Sequence, residues 1–461
     1  MARTSSDSAV SGASLFKSLH DQFKNVSDFR NPVLIDIPIE DFFMAGVSIF
    51  ALKFPSLLQF DEQMRIKKGR SNLSTLFNIS KIPSDTQMRS VLDRYPNETF
   101  RPMFKSLFEK ARRARVLDDF QIWESTYCLA VDGSGYFYSD SVHCENCQEK
   151  KQKATGEKSF YHQMLAASLV HPDQKVVIPV CPVAIQRQDG STKNDCEQNA
   201  MKRLIRQFRE DHPKLKVIVL TDALHSTLPC LSLLRSFEMG FILGVKPGSH
   251  EKLFAGADKR EGSGEVHHFE EQEEIGDKIK KTRTRHYRFT NGILLNNQSS
   301  EQSVNFLEFW ETIQWVDQWG ELQEEKVHMS WITDYSLYES SARQIARAGR
   351  TRWKIENETF NTLKNQGYHF EHNFGHGFKN LASNMAHLML LAFLVDQLQE
   401  LKCPVFQSAL RQVFERKSRL WEKLRAIYEF FPIQFESWTE FLQFFVDPRP
   451  WTEHLDPNVH I

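Results

Sequence analysis

Apolar and polar positions change their rhythm twice along the 461-residue chain. From about residue 15 to 115 apolar residues recur at helical spacing. Asp41–Lys53 is strongly apolar and Pro55 stops it; Asn72–Ile79 predicts a short helix. Ser84-Asp85-Thr86-Gln87 has the Ser-x-x-Gln form of a capping box and predicts another helix start. Phe100–Val116 follows, studded with Arg and Lys. The Ser-rich residues 1–14 read as a disordered tail.

After residue 125 the period shortens. Thr126–Asp132, Phe160–Val170 and Lys175–Cys181 predict strands, the last two joined by the turn His171-Pro172-Asp173-Gln174. A helix is expected from about Asn194 to Asp211, capped by Asn194 and Asp195. Leu215–Thr221 and Phe241–Val245 read as buried strands around a helix at Ser226–Glu238. The order β-β-β-α-β-α-β implies an α/β fold, a mixed sheet with helices packed on it. Residues 246–325 look like a β-rich insertion, after which Val327–Thr333 returns to strand. Helical patterns fill Ser340 to Lys402 and the aromatic-rich stretch to Ile461. The expected divisions are a tail (1–14), a helical N-terminal DNA-binding region (15–125), a core in two parts (126–245 and 326–402), the insertion (246–325) and a helical C-terminal region (403–461).

Composition narrows the function classes. Lys plus Arg is 58 against 59 Asp plus Glu, so any nucleic-acid surface must be local. A hydrophobic share of 41% excludes a mainly disordered chain. Seven Cys in this length argue against a disulfide-stapled secreted protein. The longest apolar run, Met385–Val395, is too short to span a bilayer and reads as a buried helix. No membrane association and a cytoplasmic location are expected.

Three carboxylates stand out by position. Asp132 ends an apolar strand before Gly133-Ser134-Gly135, and Asp222 ends the run Leu215–Thr221. Ligands of α/β sheets bind at such strand ends, although Asp also closes strands simply as a turn residue. Glu356 lies on a helix where Trp353, Glu356, Phe360 and Leu363 fall within about 80° of one another, a stripe expected to face the sheet. An inward carboxylate is costly unless paired or metal-bound. Arg352, one turn earlier, is a possible partner, so a plain Arg–Glu helix pair remains open. Two strand-end Asp residues and a helix Glu form a hard-oxygen set suited to Mg²⁺ or Mn²⁺.

The element order, with Val131-Asp132-Gly133-Ser134-Gly135, Val219-Leu220-Thr221-Asp222-Ala223 and Arg352-Trp353-Lys354-Ile355-Glu356-Asn357, resembles the ribonuclease H-like core of DDE transposases. More specifically, it resembles bacterial insertion-sequence enzymes with a β-rich insertion before the last acid. It implies that Asp132, Asp222 and Glu356 hold two Mg²⁺ (or Mn²⁺) ions, with Arg352 beside them. The implied function is strand cleavage and strand transfer at element ends. A domesticated, inactive DNA-binding relative and a ribonuclease H-like nuclease are the alternatives. The resemblance also implies double-stranded DNA as partner, a homodimer in the DNA complex, and action at the bacterial nucleoid. A Tyr-x2-Arg-x3-Glu-x6-Lys signature of that group is matched at Arg352 and Glu356, but Gly349 and Leu363 occupy the Tyr and Lys positions. Lys364, one residue later, could still reach a phosphate, and Glu358 is the runner-up third acid.

Basic runs could form the DNA surface: Arg101–Arg115, Lys278–Arg288 and Arg343–Lys354. The second supplies Lys278, Lys280, Lys281, Arg283, Arg285 and Arg288, and the third Arg350. Asn72–Arg94 could be a helix-turn-helix. Cys144 and Cys147, spaced to pinch Zn²⁺, have His143 and His162 as the nearest further donors; a reduced pair in a loop is the plainer reading. His369–Gly377 holds three His and a Glu, expected to shape the active site or touch DNA, with no metal assigned.

Overall fold

A computed structural model describes residues 9–452 apart from 66, 124, 153–155, 187–195, 277–278, 297–302 and 432. Lys278 and the expected caps Asn194 and Asp195 lie outside the described residues. The described strands are β1 (Gln121–Trp123), β2 (Thr126–Ser139), β3 (Gln148–Lys151), β4 (Lys158–Val170), β5 (Ile178–Pro179), β6 (Val183–Ile185), β7 (Val217–Thr221), β8 (Gly240–Gly244), β9 (His267–Ile275), β10 (Lys281–Leu294), β11 (Ser303–Val316) and β12 (Leu322–Thr333).

All twelve join one mixed sheet whose main path is β3-β4-β2-β7-β8-β12-β11-β10-β9. β2, β7 and β8 run parallel, as their helical crossovers Glu197–Asp211 and Leu228–Ser236 require, and the other pairings are antiparallel. This is the ribonuclease H-like sheet flanked by helices that the sequence suggests. The insertion is β-rich, but it opens with a helix, Glu251–Gly262, and its strands extend the central sheet through β12 against β8. β12 also runs across residue 325, where the pattern suggested a boundary.

β2 departs from expectation in a way that matters. It runs seven residues beyond Asp132, carried by antiparallel pairing with β4 through Gly133, Ser134 and Gly135. Residues 126–131 are continuously buried, whereas from Asp132 onward the strand is partly exposed except at Tyr136. Asp132 thus stands mid-strand, at the point where burial ends.

The N-terminal helices do not form a separate unit. Ile39–Ala51 is apolar on all sides and almost entirely buried, packing on Leu381–Lys402 within the same continuous core as the sheet. Leu381–Lys402 is long and apolar enough to cross a membrane, yet residues 381–399 of it are buried within the chain. Lys53, just past the first of these helices, turns inward in the left-handed region. It is buried with its Nζ 2.7 Å from Asp396 Oδ2 and packs on the rings of Tyr368 and Trp421. A buried ion pair between residues 343 positions apart shows how closely the segments are joined.

Two expectations about ends change. Val10 is buried and a helix capped by Ser11 starts at Gly12, so residues 9–14 are not a tail. Asn72, in the proposed helix-turn-helix, is buried against the backbone of residues 433 and 435. The capping box of Ser84 and Gln87 is present and starts Asp85–Leu92.

Candidate active site

Asp132 and Asp222 are neighbours by strand register. β2 and β7 are in parallel register with Ala130 opposite Leu220. Continued two residues, that register would bring Asp222, just past the end of β7, level with Asp132 on the neighbouring strand. β7 ends at Thr221, and Asp222 turns the chain: its Oδ1 accepts the Leu224 N–H at 3.0 Å.

The third acid arrives from above the sheet. Helix Glu339–Arg350 ends in a turn, and Ile355–Phe360 continues as π-helix into Asn361–Asn365. A π-turn holds more residues per turn than an α-turn, which shifts the phase of the faces. The buried set is therefore Ile355, Thr359, Phe360, Thr362 and Leu363. Trp353, expected in the stripe, is exposed, and Glu356 stands at the stripe's edge, half exposed. Thr359 anchors this segment to β4, its Oγ1 3.1 Å from Ser168 Oγ.

Arg352 joins the acids. Its Nη1 lies 2.7 Å from Glu356 Oε1 and 3.3 Å from Asp132 Oδ2. The helix pair expected from the i, i+4 spacing exists, and it also reaches across to β2. Burial pushes the Asp132 carboxyl up to about 7; Arg352 and the Gly133 N–H, which donates to it at 2.9 Å, oppose the rise, and the adjacent Glu356 carboxyl adds to it. Asp132 and Glu356 therefore crowd each other as two carboxylates around one arginine.

The sequence reading missed a fourth carboxylate. Glu197, the first residue of helix Glu197–Asp211, lies over Gly133: a Cβ on that glycine would stand 2.7 Å from Glu197 Oε1. Burial raises the Glu197 carboxyl, and the charge of Asp222 raises it further. Glu197 thus bridges the gap between the first two acids. The one sequence signal was a glycine directly after Asp132, which leaves room for a side chain from another element.

The remaining expected residues are elsewhere engaged. Lys364 pairs with Glu371 at 2.8 Å, and Leu363 at the signature's Lys position is buried. At the Tyr position, a Cβ on Gly349 would already stand 2.6 Å from the Trp331 indole, so Trp331 fills the space. The charge of Glu358 acts on Lys354.

The basic strip on β10 has carboxylate partners. β10 pairs with the acidic β9, so its cations meet carboxylates inside the sheet. Arg283 and Arg285 both pair with Glu273 and Glu311, and Arg350 also pairs with Glu311, at 3.0 Å. Arg288 is buried among Asp258, Glu261 and Glu308. Lys281 covers the Trp315 ring, and Lys280 is exposed. An open cleft of about 1000 Å³ lies nearer the acids, beginning three residues beyond Asp132 and lined by Gly135, Lys150, Lys151, Tyr161, Gln163 and Lys364 among others.

Cys144 and Cys147 lie in the connection between β2 and β3 with Sγ atoms 3.8 Å apart. His162 faces them, whereas His143 stacks on Phe160 and is not part of the group.

A family model described as a transposase DDE domain matches residues 127–394, more than half of the chain. That span takes in β2, β7, the whole insertion and the helix carrying Glu356. No curated protein matches the chain. The chain belongs to the transposase DDE domain family.

Proposed function

We propose that Asp132, Asp222 and Glu356 are the catalytic metal ligands of this transposase, holding two Mg²⁺ or Mn²⁺ ions. The observation that carries the reading is the convergence of Asp132 and Glu356 on Arg352, with Asp222 immediately after the strand that pairs with that of Asp132. The donor set fits such ions: it is all oxygen and carries more negative charge than one arginine offsets. Bound there, the ions supply Lewis-acid activation of the attacking hydroxyl and neutralise charge on the phosphate. Glu197 is a fourth carboxylate of the same site, oriented by helix Glu197–Asp211.

Arg352 holds Asp132 and Glu356 in register without substrate, and turns to a phosphate oxygen when DNA arrives. Lys150, Lys151 and Lys364 supply backbone contacts along the open cleft, and Lys280, Lys281 and Arg350 meet the duplex farther across the sheet. The substrate is double-stranded DNA at the ends of an insertion sequence, held by a homodimer at the bacterial nucleoid. Water cleaves the strand, and the freed 3′-hydroxyl attacks target DNA.

Cleavage of end-containing duplex with Mg²⁺ tests this. Asp132→Asn, Asp222→Asn and Glu356→Gln should each abolish cleavage and leave DNA binding in place. Cleavage retained by any of them removes that residue from the ligand set.

A further inference from the structure

We propose that Cys144, Cys147, His162 and His376 form a tetrahedral zinc site that staples the segment after the catalytic helix to the sheet. Its four donors come from three parts of the chain: the β2–β3 connection, β4, and the loop preceding helix Leu381–Lys402. All four donor atoms lie within 4.8 Å of one another.

The distances are those of a tetrahedron around one ion. With Zn–S of about 2.3 Å and Zn–N of about 2.0–2.1 Å, tetrahedral edges are about 3.8 Å for S–S, about 3.5 Å for S–N and about 3.3 Å for N–N. The chain shows 3.8 Å between the sulfurs and 3.3–3.4 Å from His162 Nε2 to each of them. Cys147 Sγ to His376 Nε2 is 3.3 Å, and the two Nε2 atoms are 3.2 Å apart. Hydrogen bonding does not account for this set. Five contacts join four atoms that carry at most four protons, and an atom donating its proton still needs an acceptor. A disulfide is excluded because the sulfurs stand far beyond the roughly 2.05 Å of an S–S bond.

The surroundings suit a closed structural site. Phe137 packs on His376 at 4.3 Å and Tyr136 stacks on His162 at 5.8 Å, which walls the donors from water. Gly375 and Gly377 flank His376 with φ of 143° and 67°, so the backbone bends tightly around it. A side chain on Gly377 would collide with Asp93. Two thiolates and two imidazoles select zinc over Mg²⁺, which separates this site chemically from the carboxylates.

The site's place in the fold gives its role. The Glu145 N–H donates to Phe378 O at 3.0 Å, and Asn146 Nδ2 donates to Lys379 O and Asn380 Oδ1. Asp93, from the N-terminal helices, accepts the N–H groups of Phe378, Lys379, Asn380 and Leu381. Zinc would lock the junction of sheet edge, N-terminal helices and the start of Leu381–Lys402. The proposal does not depend on whether the carboxylate site cuts DNA.

Elemental analysis of the full chain, purified without chelator, should find about one zinc per chain. Replacement by Co²⁺ should give the intense visible bands of a tetrahedral thiolate–imidazole complex. Cys147→Ser and His376→Ala should lose the metal, whereas His143→Ala should keep it. Should the variants fail to fold, the wild-type measurements decide alone. Folded chain without zinc that gives no tetrahedral cobalt spectrum overturns the proposal, as does full zinc retention in both ligand variants.

Discussion

Replacing Asp132 by Asn should change how the stability of the metal-free chain depends on pH, in a direction opposite to the usual carboxylate. Burial and Glu356 raise the Asp132 carboxyl from 3.8 to about 7. Between those pH values the folded chain retains a proton that the unfolded chain releases, so stability falls as pH rises. Three units correspond to about 4 kcal/mol at 1.36 kcal/mol each, an upper figure for a proton shared with Glu356. Asn cannot ionise, so the stability difference between wild type and Asp132→Asn should slope in the variant's favour by up to that amount from pH 4 to 7, then level off. Denaturant unfolding in buffer free of added Mg²⁺, at half-unit pH steps, measures it. Added Mg²⁺ should narrow the gap, most strongly above pH 7, where the wild-type pair is ionised. Parallel curves for the two proteins across pH 4–7 would refute the reasoning.

Glu197→Gln should lower cleavage at limiting Mg²⁺ by about tenfold or more and recover partly at high Mg²⁺, with unchanged DNA affinity; a metal titration of the rate shows whether it does. Gly349→Ala should cost about 1–3 kcal/mol in unfolding free energy, since its Cβ would meet the Trp331 indole at 2.6 Å. Arg285→Gln should destabilise the insertion while leaving the salt slope of DNA binding unchanged, because Glu273 and Glu311 already occupy that guanidinium; a slope reduced by about one would return Arg285 to the DNA surface. Asp93→Ala should cost roughly 2–4 kcal/mol by thermal unfolding, because it strands four N–H groups at the head of Leu381–Lys402.

Much of the fold was legible because it rests on local pattern. The strand–helix alternation from Glu197 to Gly244, the capping box at Ser84 and the buried run Met385–Val395 follow from periodicity and short-range chemistry, and the structure has them; the short strands β1, β3 and β6 were not read, and Lys175–Cys181 keeps only the two-residue β5. Asp132 and Asp222 were visible as carboxylates where apolar runs stop, and Glu356 as an acid within a helix's apolar stripe. The failures share a cause: each depended on a partner far away in sequence. Arg283, Arg285 and Arg288 read as a free basic strip until β9 and β11 bring carboxylates beside them. The stripe around Glu356 was read at α-helical spacing, and a π-helical turn moved Trp353 out of it.

The sequence by itself determined which residues could do chemistry and in what order their elements run, since side-chain type and local periodicity are properties of neighbouring residues. Only the tertiary structure decided the company they keep. Glu197 over Gly133, Trp331 in the place of a tyrosine, and His376 opposite Cys147 are meetings between segments 18 to 229 positions apart. Such meetings are fixed by sheet register and helix packing, and a local stretch of sequence does not name the partner.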